Sequence, residues 1–241
     1  MGYFKKLDFS GSDLKLIAIT TMLIDHLGAI ILEPLLNNYQ SLFLSSLKLP
    51  LNFWLSLNFI LRAIGRLAFP LFAFLLVEGF KHTRDPMKYF WRLAVFALLS
   101  EIPFDLATSS NLFNLNYQNV FFTLALGLLT LILFNSTKKK GVQAFYLGLG
   151  VITAHLLESD FGGYGIILIF LFHLFRDQNR IKQACLAVWL SAQLTAPLSL
   201  LLIWRYNGQR GLNWRYFFYL FYPLHLLLLY LIRLAITNAL L

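Results

Sequence analysis

A helix of about 20 mostly apolar residues is long enough to cross the hydrocarbon core of a bilayer. In lipid, moreover, every backbone polar group must find its partner inside the segment or the bundle. This chain carries apolar runs almost end to end, at roughly 14–33, 60–80, 91–107, 119–135, 142–157, 163–175, 183–204 and 216–236. Several are short and have to pack in a bundle. The stretch 41–59 is interrupted by Lys48 and Pro50, and its aromatic residues suit an interfacial or re-entrant segment. The expected fold is all-α, a polytopic transmembrane helix bundle of about eight spans within a range of seven to ten, forming one domain over residues 1–241. Composition closes the soluble alternative. Apolar residues make up 59% and charged residues 13%, against about 25% charged in soluble domains. No length is left for a soluble catalytic domain, so any chemistry takes place in or beside the bilayer.

The chain has 20 Lys and Arg against 11 Asp and Glu, a net charge of +9. Lys and Arg accumulate in the cytoplasmic loops of membrane proteins, which explains the excess without nucleic acid, and no nucleic-acid module is present. Lys5 and Lys6 precede the first span, KHTRDPMKYFWR follows the second, TKKK the fourth and RDQNRIK the sixth. The alternate loops NLFNLNYQN and ESDFGG have no Lys or Arg. Eight spans then place both termini and the basic loops in the cytoplasm, in a multi-pass protein of the cell membrane. One segment disagrees: RYNGQRGLNWR (205–215) carries three arginines yet would face outward, unless the seventh span is a broken pair. The single Cys185 excludes a disulfide framework. The N-terminus has no cleavable signal pattern, so the first span is expected to serve as the targeting signal.

Ionisable residues inside a bilayer are costly and are functional candidates by default. The first span holds Lys15, Asp25, His26 and Glu33. Lys15 and His26 are eleven residues apart, about three helical turns, so they share a face roughly 16 Å apart along the axis. Asp25 is turned about 100° from His26 and points to another helix. In the second span Arg62 and Arg66 share a face, with Pro70 expected to loosen the helix beyond them, and Glu78 and His82 lie at the other end. They either snorkel at the interface or pair with Asp25 or Glu33. Arg92 sits near the inner end of the third span. Glu101 and Asp105 flank Pro103, which is expected to break that helix. Asn119 and Thr123 begin the fourth span, and Tyr222, Pro223 and His225 lie inside the last. No three-ligand cluster is evident and no metal is expected. Soluble-enzyme motifs such as the P-loop and the nucleophile elbow are absent.

IAITTMLIDHLGAII, RAIGRLAFPLFAFLLVEGFKHTR, RLAVFALLSEIPFDLA, NVFFTLALGLL, YNGQRG and FYLFYPLHLL together resemble the TraX family, whose namesake is associated with N-terminal acetylation of conjugative pilin. That family is similar in turn to acyltransferase-3 proteins and to the lysosomal heparan glucosaminide acetyltransferase. In acyltransferase-3 proteins a basic residue and a histidine eleven positions on mark the first helix, and Lys15 and His26 stand in those places. The resemblance implies transfer of an acetyl group from cytoplasmic acetyl-CoA to an amine or hydroxyl on a protein N-terminus, glycan or lipid. His26 and Asp25 would be catalytic. Lys15, Lys81, His82, Arg84, Lys88 and Arg92 would hold the CoA phosphates. Arg62, Arg66, Glu78, Glu101, Asn119, Thr123, Tyr222 and His225 would support them. Two other classes compete: a proton-coupled transporter, and a non-catalytic membrane factor of a conjugation or pilus system.

Overall fold

The computed structural model describes residues 8–37, 49–176, 186 and 189–238. Lys5, Lys6, Lys48, Cys185 and most of the RDQNRIK loop lie outside the described residues. The described chain is all-α, with no strand and only two isolated bridges, Phe9–Tyr206 and Gln118–Ser159. The helices are α1 (Gly11–Asn37), α2 (Leu51–Gly65), α3 (Ala68–His82), α4 (Pro86–Ser109), α5 (Val120–Asn135), α6 (Lys140–Leu156), α7 (Gly162–Phe175), α8 (Ser199–Ile203) and α9 (Arg215–Asn238). Three helical stretches are long and apolar enough to cross a membrane: Gly11–Asn37, Leu51–His82 and Tyr216–Asn238. Val120–Asn135 and Gly162–Phe175 are shorter and also apolar. Large side chains such as Leu98, Leu99, Phe145 and Leu228 stand outward on the bundle, a surface suited to lipid and not to water.

Local sequence sets the helix ends. Ser10 caps α1 in a reciprocal box: its hydroxyl accepts from the Asp13 N–H while Asp13 accepts from the Ser10 N–H. Asp85 accepts from the Lys88 N–H at the start of α4, with Pro86 in the first helical position. Asn119 caps α5 by accepting from the Phe121 N–H at 3.0 Å. Within α1, Leu27–Leu32 widens into a π-helical turn directly after His26.

Four expectations need correction. The second span does not start near residue 60: α2 begins at Leu51 and meets α3 at a hinge over Arg66 and Leu67. Pro70, in the first turn of α3, has no N–H for the Arg66 carbonyl, so the expected loosening falls at this hinge. Pro103 does not break α4, which runs unbroken through it for 24 residues. Packing of α4 against α5 and α9 holds the helix together, and Arg233 of α9 donates to the end carbonyls of Leu106 and Ala107.

The seventh span is the broken pair. Trp189 stacks on Tyr164 at the start of α7. The chain then turns through short 3-10 segments, Ser191–Gln193 and Ala196–Leu198, with Leu194 at φ 45° in the left-handed region. It returns through α8 to Arg205, beside Phe9. The segment therefore goes in and comes back on one side.

That return also corrects the topology. Phe9 and Asn207 bond to Arg205 and Phe9 respectively, the Gly11 and Ser12 N–H groups donate to the Gln209 and Arg210 carbonyls, and the Leu212 N–H donates to the Ser12 hydroxyl. The 205–212 loop thus lies beside the start of α1, with the basic residues and not opposite them. Both α1 and α9 start at this basic end and run the same way. Arg233, near the other end of α9, meets the far end of α4. Asp8 and Asn238, the described ends, are therefore on opposite sides of the bundle, unlike the expected shared side.

Candidate functional site: two cavities that meet at a histidine pair

The basic end encloses a cavity of about 720 Å³. Lys15 reaches it from α1, His82 and Arg84 from the end of α3, and Arg92 from α4. Arg210 joins them from the loop that pairs with the start of α1. Aromatic rings line it between the cations: the Lys15 ammonium sits over Phe218 and the Arg92 guanidinium over Tyr89, each at 5.4 Å. Arg92 Nε is buried with no hydrogen-bond partner among the described residues. Glu78 is buried in the same wall, ion-paired with Arg176 at the end of α7 and 3.8 Å from His82. Two residues expected at this site are not in it. Lys81 does not line the cavity, and Lys88, exposed in solvent, is 3.4 Å from Asp85.

Toward the far end lies a second cavity of about 550 Å³. Asp25, His26 and Glu33 from α1 line it, with Arg62 and Arg66 from α2 and Asp160 from the α6–α7 loop. Arg62 bridges both acidic residues, 2.7 Å from Asp25 and 3.2 Å from Glu33. Eight residues on an undistorted helix would leave Asp25 and Glu33 about 80° apart. The π turn between them winds more slowly and brings them to one face. Asn58 also donates to Glu33 at 3.3 Å. Asp25 contacts Arg62 and packs against Gly65, so it acts across helices and not on the His26 ring.

Asp160 and Tyr117 were not singled out from the sequence. The Tyr117 hydroxyl donates to Asp160, and burial pushes that carboxyl up, opposed by Tyr117 and the two arginines. Their signal was faint: Asp160 follows Glu158 in one loop and Tyr117 lies in another, and both loops drew notice only for lacking Lys and Arg.

Met22, Phe72, Val120 and Tyr222 line both cavities, so the two meet there. Beside this junction His26 Nδ1 lies 2.7 Å from His225 Nε2, the rings stacked with centroids 4.9 Å apart. His225 Nδ1 is 2.7 Å from the Phe221 carbonyl oxygen. A carbonyl only accepts, so His225 carries its proton on Nδ1 and presents Nε2 as an acceptor. His26 therefore donates from Nδ1, which leaves its Nε2 lone pair available on a ring that lines the far cavity. The order Phe221 carbonyl, His225, His26 fixes the tautomer of each ring in turn.

The remaining predicted residues form a separate brace. Asn119 donates to Glu101 at 2.7 Å and to the Ala97 carbonyl at 2.8 Å. Thr123 accepts from the Phe161 N–H at 3.3 Å. They tie α4, α5 and the α6–α7 loop together and line neither cavity. Among the described residues, no group of three His, Cys, Asp or Glu side chains could hold a metal ion.

No solved structure matches the chain. It is 32% identical over 255 residues to the probable fimbrial assembly protein FimC, serogroup H1, of Dichelobacter nodosus, an alignment covering 93% of this chain and 96% of that one. Residues 10–233 match the TraX protein family, a range that takes in the histidine pair, the Arg62 bridge and both cavities. The chain is a member of the TraX family.

Proposed function

We propose that this protein is a membrane-embedded acetyltransferase that takes acetyl-CoA from the cytoplasm and passes the acetyl group to an amine or hydroxyl acceptor in the far cavity. One observation carries the reading: two cavities of different chemistry meet beside a histidine pair. The basic cavity suits the donor. Its cations match a polyanion, and its buried, unpartnered Arg92 Nε awaits an acceptor oxygen. Its volume lies within the ~300–1,000 Å³ of ordinary ligand sites. The basic end faces the cytoplasm in this reading, as the distribution of Lys and Arg favours. The acceptor belongs to the class of protein N-termini, glycans and lipids.

His26 Nε2 takes the acceptor proton as the acceptor nitrogen or oxygen bonds to the thioester carbonyl carbon. His26 then gives that proton to the departing sulfur as the C–S bond breaks. His225, anchored on the Phe221 carbonyl, positions the ring and shares the transient charge. Asp25 neutralises Arg62 and fixes the wall opposite.

The test uses the full-length protein in lipid nanodiscs with radiolabelled acetyl-CoA. We expect binding that weakens with salt, and CoA release that His26→Gln lowers by ~10²–10⁴-fold with binding retained. Full turnover in His26→Gln removes the general base. A second reading, a non-catalytic factor in fimbrial or pilus assembly, is favoured by the name of the relative. It predicts that His26→Gln leaves assembly intact.

A further inference from the structure

We infer that Tyr222 is the oxyanion-stabilising residue of the acyl transfer proposed above, its hydroxyl donating to the thioester carbonyl oxygen; the inference rests on that reading. Of the four residues common to both cavities, Tyr222 alone ends in a polar group. It is 3% exposed. Its ring stands edge-on to His26 at 6.2 Å and to His225 at 5.7 Å between centroids. A carbonyl carbon attacked from the far cavity while its thioester arm fills the basic cavity has to lie at this junction. Negative charge then grows on its oxygen there, away from the cationic walls of either cavity.

The second observation concerns the start of α5 beside the hydroxyl. Val120 is the first residue of α5, and the first N–H groups of a helix have no partner within it. Asn119 takes the Phe121 N–H, and the Val120 N–H lies near the Tyr222 hydroxyl. Other rings pack around it, Phe121 at 5.1 Å among them. The tyrosine oxygen thus lies beside the start of α5, and its proton can donate into the junction. The positive end of the α5 dipole strengthens that donor.

The electron count is simple. The oxyanion forms when the acceptor lone pair adds to the carbonyl carbon, while the acceptor proton goes to His26. Tyr222 keeps its proton throughout and lends only a hydrogen bond. The C=O bond re-forms as sulfur leaves with the electron pair of the C–S bond and the proton from His26. A hydroxyl placed for this work contributes to the transition state and little to the ground state.

The experiment follows acetohydroxamate formation and CoA release by the full-length protein in nanodiscs, with acetyl-CoA as donor and hydroxylamine as a small acceptor. Tyr222→Phe removes one oxygen atom. We expect kcat to fall by ~10²–10³-fold, the loss typical of one oxyanion donor, with the KM for acetyl-CoA and the thermal midpoint unchanged. Should Tyr222→Phe fail to fold, Val120→Pro takes its place, since proline is well suited to the first position of a helix and deletes the N–H near the hydroxyl. It should lower kcat at unchanged KM. Undiminished kcat in the folded variant overturns the assignment, as does a loss confined to acetyl-CoA binding. If the wild-type protein releases no CoA and forms no hydroxamate, the acyl-transfer reading falls first and the role of Tyr222 with it. An active wild type with an equally active Tyr222→Phe removes the tyrosine alone.

Discussion

Arg62 holds two carboxylates within 3.2 Å while each partner keeps only a minor share of its surface in contact with the surroundings. Removing the guanidinium takes from Asp25 and Glu33 their shared ion-pair partner and leaves Arg66 as the other cation of that cavity, and Asp25 Oδ1 already has no hydrogen-bond partner among the described residues. Arg62→Ala should therefore cost about 1–3 kcal/mol, between an exposed and a buried pair, because the Glu33 side chain is 41% exposed. Adding Asp25→Asn should recover much of the loss, as thermal unfolding in detergent would show. Arg62→Ala with no loss would mean that lipid headgroups or water replace the guanidinium freely. At this scale the sequence was informative where one helix carried the whole relationship. The spacing of Lys15 and His26 put both on the line of cavities, one in each. Asp160 stayed hidden because its importance comes from Tyr117, 43 residues away.

Helices α1 and α2 are brought together by an absence of side chain. Gly65 ends α2 with its backbone against Asp25, and a Cβ there would overlap the Asp25 side chain. Glycine is needed at this position for that close approach, as small residues are wherever membrane helices touch. Gly65→Ala should push α2 away and destabilise the bundle by about 1–3 kcal/mol, as overpacking does. It should also lengthen the Arg62–Asp25 contact and so make the response to Asp25→Asn smaller, a difference readable in a double-mutant cycle. Additive effects would show that α1 and α2 tolerate the methyl group. Periodicity and apolarity gave the helices themselves, yet the π turn after His26 was illegible. Nothing in LGAIIL differs in composition from an ordinary helix, and the widened turn follows from Arg62 having to reach both acids. Pro103 misled in the opposite sense. A proline removes one bond from a helix, and neighbouring helices can make good that loss in a bundle.

Across the whole molecule, hydropathy identified a membrane protein but not its weave. The apolar content of 183–204 read as a crossing, whereas the described part turns at Leu194 and returns. Contacts from distant residues, such as Thr195 to the Ala63 carbonyl, fix where that turn sits. The consequence is testable by reporter fusions. Fusions after residues 136 and 208 should report one side, and fusions after 160 and 238 the other. Agreement between 208 and 238 would restore an even number of crossings for the last third of the chain. The three arginines of the 205–215 segment, an anomaly in the sequence, fall on the side of Lys15 and Arg84 once the turn is recognised.

His26 and His225 are separated by 199 residues, and they touch only because the first and last long helices run side by side. During synthesis the first histidine enters the bilayer well before its partner, 199 residues further on, is made. Every shorter nascent chain lacks the second imidazole and the carbonyl that orients it. The oriented pair therefore exists only once Phe221 and His225 have been made and the last long helix has docked beside the first.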